Sequence, residues 1–242
     1  MASTAPIVIP AIRKHTATII FIHGLGDSGA GWVSLAENWR RQHRFEEVKF
    51  VFPNAPTRPI TVNLGMTMPG WYDILHFSDL NASQDETGIM QSRNYFHNLI
   101  ASEVSSGIPG ERIVLGGFSQ GGAMSLLAGI TCSHKLGGVF GLSCYMLLHN
   151  KIKDLVAEAG NTNKSTKIFM GHGTDDPLVK HEWGKLTAHH LTSMGFDVEM
   201  KSYPKILIHA RNLVHSTDPK EIVDLGEFLD KRIPEIEPRP QK

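Results

Sequence analysis

A chain of 242 residues, 41 % of them hydrophobic, has room for one sizeable core, so a single domain is expected. Its 24 basic and 24 acidic side chains cancel to a formal net charge of zero, which offers nothing to hold a polyanion and argues against nucleic acid as a partner. No apolar run approaches bilayer length, the N-terminal MASTAPIVIPAIRKH lacks a signal-peptide core, and the two cysteines, Cys132 and Cys144, are too few for a disulfide framework; they read as reduced, buried thiols in a cytosolic protein.

In chain order, residues 16–22 (TATIIFI) read as a strand that runs into HGLGDSGAGW. There Gly24, Gly26 and Gly29 spell G-x-G-x-x-G, the position of a dinucleotide-binding fingerprint. That fingerprint also needs an acid at the end of the second strand for a ribose hydroxyl. After a helical pattern at 30–42, the second strand, 48–52 (VKFVF), ends in Pro53-Asn54-Ala55. Glu46 and Glu47 precede it, at the wrong end, so an oxidoreductase reading is disfavoured. Residues 53–79 form a long irregular excursion carrying Leu64, Met66, Met68 and Trp71. Loops of that length in compact domains are usually functional or disordered, and this one reads as a binding wall.

A helix over 88–105 places Ile89, Phe96, Leu99, Ile100 and Val104 on one stripe, as core packing requires. The strand 112–118 (RIVLGGF) leads into GFSQG, Gly117 to Gly121, and then into a helix over 120–131. Strands at 138–143, 167–171 and 197–202 alternate with helices at 179–194 and 218–232. Such alternation predicts an α/β fold with a mostly parallel sheet covered on both faces. His181, His189 and His190 share one predicted helix but form no zinc-like motif with a nearby acid, so they read as solvated helix surface.

GFSQG is G-x-S-x-G between a strand and a helix, the setting of a nucleophile elbow. The sharp turn strains the backbone at Ser119, and its flanking glycines leave room for it. Ser119 would project above the sheet with a helix N-terminus behind it, which favours developing negative charge. On such a sheet the partners follow in the order Ser, acid, His. Asp175 and Asp176 stand after the strand at 167–171, and His209 and His215 stand between the last strand and the last helix.

With these segments in place, the chain resembles the acyl-protein thioesterases of the lysophospholipase-like carboxylesterase family. The resemblance runs from about Pro6 to Pro234 and rests on IFIHGLGDSGAGW, FPNAPTRPITVNLGMTMPGWYDI, QDETGI, RIVLGGFSQGGAMSL, HGTDDPLV and HSTDPKEIVDLGEFLDKRIP. It implies one α/β-hydrolase domain over 6–234, a polar tail at 235–242, and a cytoplasmic or nuclear enzyme that needs no cofactor or metal. Its substrates would be S-acylated, membrane-associated proteins, with lysophospholipids and small carboxylesters also hydrolysed. Contact with a membrane surface would be transient: relatives can carry a lipidated cysteine after the initiator Met, and Ala2 stands there here.

Carried over by position, Ser119 matches the nucleophile, Asp176 the acid, and the backbone amides of Leu25 and Gln120 the oxyanion hole. Trp71, with Leu64, Met66 and Met68, matches a wall of the acyl site. The histidine is where the chain departs from the family pattern. Tyr203 is followed by PKILIHARNLV before His215-Ser216. Counting from Tyr203 favours His209, and counting back from the last helix favours His215, which is the assignment adopted here. The alternative is a catalytically impaired acyl-binding module, its base displaced by the insertion at 205–214.

Overall fold

The computed structural model describes residues 4–76, 83–204 and 215–236. In chain order its elements are β1 (Ile7–Ile9), β2 (Ala17–Ile22), α1 (Val33–Arg41), β3 (Val48–Phe52), β4 (Thr57–Ile60), β5 (Met66–Pro69), α2 (Glu86–Ser105), β6 (Ile113–Phe118), α3 (Gln120–Ile130), β7 (Gly138–Leu142), α4 (Ile152–Glu158), β8 (Lys167–Gly173), α5 (His181–Ser193), β9 (Asp197–Tyr203) and α6 (Pro219–Arg232). Seven strands form one sheet in the order β1-β3-β2-β6-β7-β8-β9. All neighbours pair parallel except β1 with β3.

The central strands are buried on both faces, which is why they read as continuous apolar runs rather than as alternating ones. Their two faces feed two cores. Ile20, Ile22 and Leu115 pack with Phe96 and Ile100 of α2, Met124 and Leu127 of α3, and Leu191 of α5. Ile19, Phe21, Phe50 and Phe140 pack on the opposite side with Leu35 and Trp39 of α1 and Leu225 and Leu229 of α6. Ile89, Phe96 and Ile100 of the expected α2 stripe are buried, and Leu99 and Val104 lie against the same core. Every residue of α3 is buried, because it lies under the sheet's centre with α2 over it.

Three features differ from the sequence expectation. The Pro6–Pro10 segment contributes a short antiparallel edge strand, with Ile7 opposite Phe52. Part of the 53–79 excursion is a two-stranded ribbon, β4 paired with β5, with Thr57 opposite Pro69 and Ile60 opposite Met66. A ribbon outside the main sheet tolerates the prolines at 59 and 69. The helix α4 is too short to show a helical period. The two cysteines are free and buried. At the C-terminal end, the Glu235 carboxylate is 3.6 Å from the Arg13 guanidinium and the Ile236 N–H donates to Glu47 (3.0 Å), so the first tail residues are tied to the domain. Residues 237–242 lie outside the described residues.

Candidate active site

Ser119 follows β6 directly and caps α3 with φ 55° and ψ −123°. A non-glycine residue there carries strain of about 1–3 kcal/mol, which only an over-determined surrounding can hold. Two backbone hydrogen bonds fix it: Ser119 N–H donates to Leu142 O (2.8 Å), and Ser119 O accepts from Ala123 N–H (3.0 Å). The turn can approach β2 only because residue 121 is glycine. A Cβ there would sit 2.2 Å from Ile22 O and 2.4 Å from His23 O.

Asp176 lies in the turn after β8, with its side chain 4 % exposed. Its Oδ1 accepts from the N–H groups of Leu178 (2.9 Å) and Val179 (3.0 Å), and its Oδ2 faces His215 Nδ1 at 2.6 Å. Burial by itself would raise the carboxyl. The His215 hydrogen bond and charge, together with the two backbone donors, outweigh burial and hold it below its ordinary value. Asp176 is therefore ionised at neutral pH, and His215 Nδ1 carries the proton between them. That leaves Nε2 as the basic nitrogen. His215 Nε2 is buried and has no hydrogen-bond partner among the described residues. The ring packs against Phe118 with centroids 4.7 Å apart. Ser119 and His215 line one cavity of about 600 Å³. The insertion at 205–214, with His209, lies outside the described residues.

The loop after β2 forms the other side of the cavity through Gly24 and Leu25. His23 anchors it. Its Nε2 accepts from Ala55 N–H (3.1 Å), so the ring proton sits on Nδ1 and is donated to Gly24 O (2.7 Å). Burial pushes this imidazole below its ordinary value, so it stays neutral. The G-x-G-x-x-G donors are spent within the protein: Gly26 N–H goes to Pro69 O (2.8 Å) and Gly29 N–H to Asn54 Oδ1 (2.9 Å). A pyrophosphate would find neither free. Gln120 is the first residue of α3, so its own N–H has no carbonyl partner inside the helix. Its side chain is buried and clamps the 71–72 segment, accepting from Trp71 N–H (2.8 Å) and donating to Tyr72 O (2.8 Å).

The four expected acyl-site residues are dispersed. Trp71 is 1 % exposed and belongs to the core; its indole N–H donates to His23 O (2.9 Å), and its ring packs against Phe96. It ties the β2 loop to α2 and α3 instead of facing a cavity, because a buried indole N–H must find an acceptor. Leu64 and Met66 sit at the exposed tip of the β4–β5 ribbon, at 96 % and 60 % exposure. Met68 is half-buried, with its sulfur over Gly26.

Two supporting histidines were not singled out from sequence. One is His23; the other is His172, whose Nε2 donates to Val179 O (2.8 Å) and lies 3.9 Å from Asp176 Oδ2. The available signal was their position, at the C-terminal ends of β2 and β8 beside HGLGD and GTDD. Glu221 was also missed. It completes a capping box with Asp218 at the start of α6, and it is 1 % exposed.

A family model described as Phospholipase/Carboxylesterase matches residues 3–233. The chain is 57 % identical over 239 residues to acyl-protein thioesterase 1 of Emericella nidulans, covering 96 % of this chain and 97 % of that one. It is 51 % identical to the protein of the same name from Gibberella zeae, covering 95 % and 96 %. Among solved structures, Zea mays acyl-protein thioesterase 2 superposes with a TM-score of 0.81 at 26 % identity, covering 94 % of this chain and 98 % of that one. Arabidopsis thaliana SOBER1 superposes at 0.78 and 29 % identity, covering 90 % and 99 %.

Proposed function

Because the chain belongs to the phospholipase/carboxylesterase family of α/β-hydrolases, we propose that Ser119, His215 and Asp176 form the catalytic triad of an acyl-protein thioesterase. The enzyme removes acyl groups from S-acylated proteins, and the same machinery serves carboxylesters and lysophospholipids. One observation carries the assignment of residues: His215 is bonded through Nδ1 to Asp176, while its unpartnered Nε2 is buried beside the cavity that Ser119 lines.

In the acylation step His215 Nε2 takes the Ser119 proton as the hydroxyl attacks the thioester carbonyl. The oxyanion is received by the N–H groups of Leu25 and Gln120, each such donor being worth ~10²–10³ in kcat. His215 returns the proton to the departing sulfur. A cysteine thiol, with a pKa of about 8.5, is a good leaving group. Water then enters and attacks the acyl carbon while giving a proton to His215, which passes that proton to the Ser119 oxygen as its bond to the acyl carbon breaks and the acid leaves. Asp176 stays ionised throughout and stabilises the imidazolium. The Trp71 segment supports this site from the core, while the apolar tip at Leu64 and Met66 offers the surface that meets the acyl chain or the membrane that holds it.

No helix among the described residues is long and apolar enough to cross a membrane. A cytoplasmic or nuclear location, with transient contact at membranes that carry the acylated substrates, fits the composition and the relatives.

The test is labelling with an active-site fluorophosphonate together with hydrolysis of an acyl thioester. The parent protein should label and turn over. Ser119→Ala should lose both, and Asp176→Asn should lose on the order of 10³–10⁴ in kcat. His215→Ala should be inactive while His209→Ala keeps activity. Loss confined to His209→Ala would overturn the assignment of the base. A folded parent that neither labels nor hydrolyses would overturn the enzyme reading.

A further inference from the structure

The cavity at Ser119 does not end at the triad. It shares Leu35, Asn38, Thr217 and Ile222 with a second cavity of about 490 Å³, so the two form one groove between α1 and α6. Each wall is a single helix face. Ser34, Asn38 and Arg41 follow one another at i, i+4 and i+7 along α1. Pro219, Ile222 and Val223 face them from the first turns of α6, and Val223 is 55 % exposed. The far end is cationic: Arg41 and Arg44 line it, and among the described residues no carboxylate does. Arg44 is paired with Asp230 at 2.6 Å, whereas the Arg41 guanidinium donates to the neutral Asn38 amide.

The chemistry decides which end of the substrate this groove meets. The departing sulfur takes its proton from His215 Nε2, so the leaving group lies on the His215 side of the reacting carbon. His215, Ser216 and Thr217 form the rim of this groove. On the proposed reaction the leaving group is a cysteine within a polypeptide. From Ser34 to Arg41 is ~10 Å along the helix axis. That length accommodates about three residues of extended chain.

We propose that the α1–α6 groove holds the polypeptide flanking the S-acyl cysteine. Asn38 and Thr217 are placed to bond its backbone, Ile222 and Val223 to cover an apolar side chain, and Arg41 to favour an acidic residue about three positions from the cysteine. This inference rests on the hydrolase reading above and adds to it the side on which the protein substrate docks.

The experiment compares kcat/KM for S-octanoyl peptides with kcat/KM for p-nitrophenyl octanoate, an ester with no peptide. The ratio cancels differences in active fraction. Filling the groove with Asn38→Trp should lower the peptide-to-ester ratio roughly tenfold, the worth of one or two lost hydrogen bonds. Parent enzyme should prefer a peptide with Asp over one with Lys at the third position by roughly two- to fivefold, as an exposed charge pair allows. Arg41→Glu, at an exposed site where folding is not at stake, should reverse that preference. Any of three results would overturn the proposal: an unchanged ratio in Asn38→Trp; a shift of ester preference toward shorter acyl chains, which would place the acyl chain in the groove; or a charge preference indifferent to Arg41→Glu. A parent enzyme without ester hydrolysis or fluorophosphonate labelling would instead overturn the hydrolase reading itself.

Discussion

At the scale of single residues, the site depends on backbone approaching where side chains would collide. A Cβ on Gly24 would stand 3.2 Å from Ser119 Cβ, closer than the two can share without Ser119 yielding by a few tenths of an ångström. A displacement near 1 Å costs ~10²-fold in rate, so Gly24→Ala should lower kcat on the order of tenfold. Gly24 is not in the left-handed region, so the alanine should leave Tm unchanged or slightly raised by restricting the unfolded chain. Kinetics and a thermal melt on the same preparation separate that outcome from simple misfolding. Glu221 makes a second prediction. Burial pushes its carboxyl up to about 8 from an ordinary 4.5, against the opposing Asp218 N–H and with the help of the Asp218 and Asp176 charges. Below 4.5 both folded and unfolded states hold the proton. Between 4.5 and about 8 the unfolded chain releases it while the folded one keeps it, so stability falls as pH rises through that window. Glu221→Gln keeps the capping geometry and removes the titration. Its Tm advantage over the parent should therefore grow between pH 5 and pH 8, by roughly 4–10 °C. A gap independent of pH would show that Glu221 ionises normally.

At the scale of elements, α6 begins as its sequence dictates: Asp218 accepts from Lys220 N–H (2.7 Å), Glu221 accepts from Asp218 N–H (3.3 Å), and Pro219 takes the first turn. His215 stands three residues before that cap, so the cap also fixes the segment that holds the imidazole on Asp176. Asp218→Ala should cost about 1 kcal/mol, or ~2–4 °C in Tm, and should lower kcat while leaving KM for a small ester unchanged. Equal kcat in the two proteins would show that the Asp176 bond alone positions His215. Elements of this kind were legible in advance. The strands at 48–52 and 138–143 and the strand and helix on either side of Ser119 are marked by apolar period and turn residues; Ser119 and His215 line one cavity, and Asp176 meets His215 Nδ1. What was not legible has a common physical cause. The edge strand Ile7–Ile9 and the β4–β5 ribbon are too short and too proline-rich to carry a period. The fate of Trp71 depended on which acceptor its indole would find, and that acceptor, His23 O, is 48 residues away in sequence. Apolar content in a loop does not distinguish a cavity wall from a core pillar or an exposed tip.

At the scale of the whole molecule, the candidate site and a buried ionic cluster occupy opposite ends of the parallel sheet. Ser119 follows β6, Gly24 follows β2 and Asp176 follows β8, all at carboxyl ends, where open α/β sheets bind ligands. The amino ends instead gather around Glu47, just before β3, which is 1 % exposed. Its carboxylate accepts from Thr16 Oγ1 (2.7 Å) and from Ile236 N–H (3.0 Å), and it lies 3.5 Å from Arg13 and 3.8 Å from Arg112. Arg112 in turn donates to Thr16 O (3.0 Å) and Pro234 O (2.7 Å). One buried carboxylate thus joins both ends of the chain to the strand starts. Glu47→Gln keeps the shape and removes the charge, which should cost about 2–3 kcal/mol, the worth of hydrogen bonds to a charged group. Tm should then fall by ~4–12 °C. The cluster is separated from Ser119 by the length of β6, ~20 Å, so kcat of the folded variant at moderate temperature should stay within about twofold of the parent. A loss of kcat without loss of Tm would mean that the two ends of the sheet are coupled, and that the N-terminal segment helps set the geometry at Ser119 through β2 and β6.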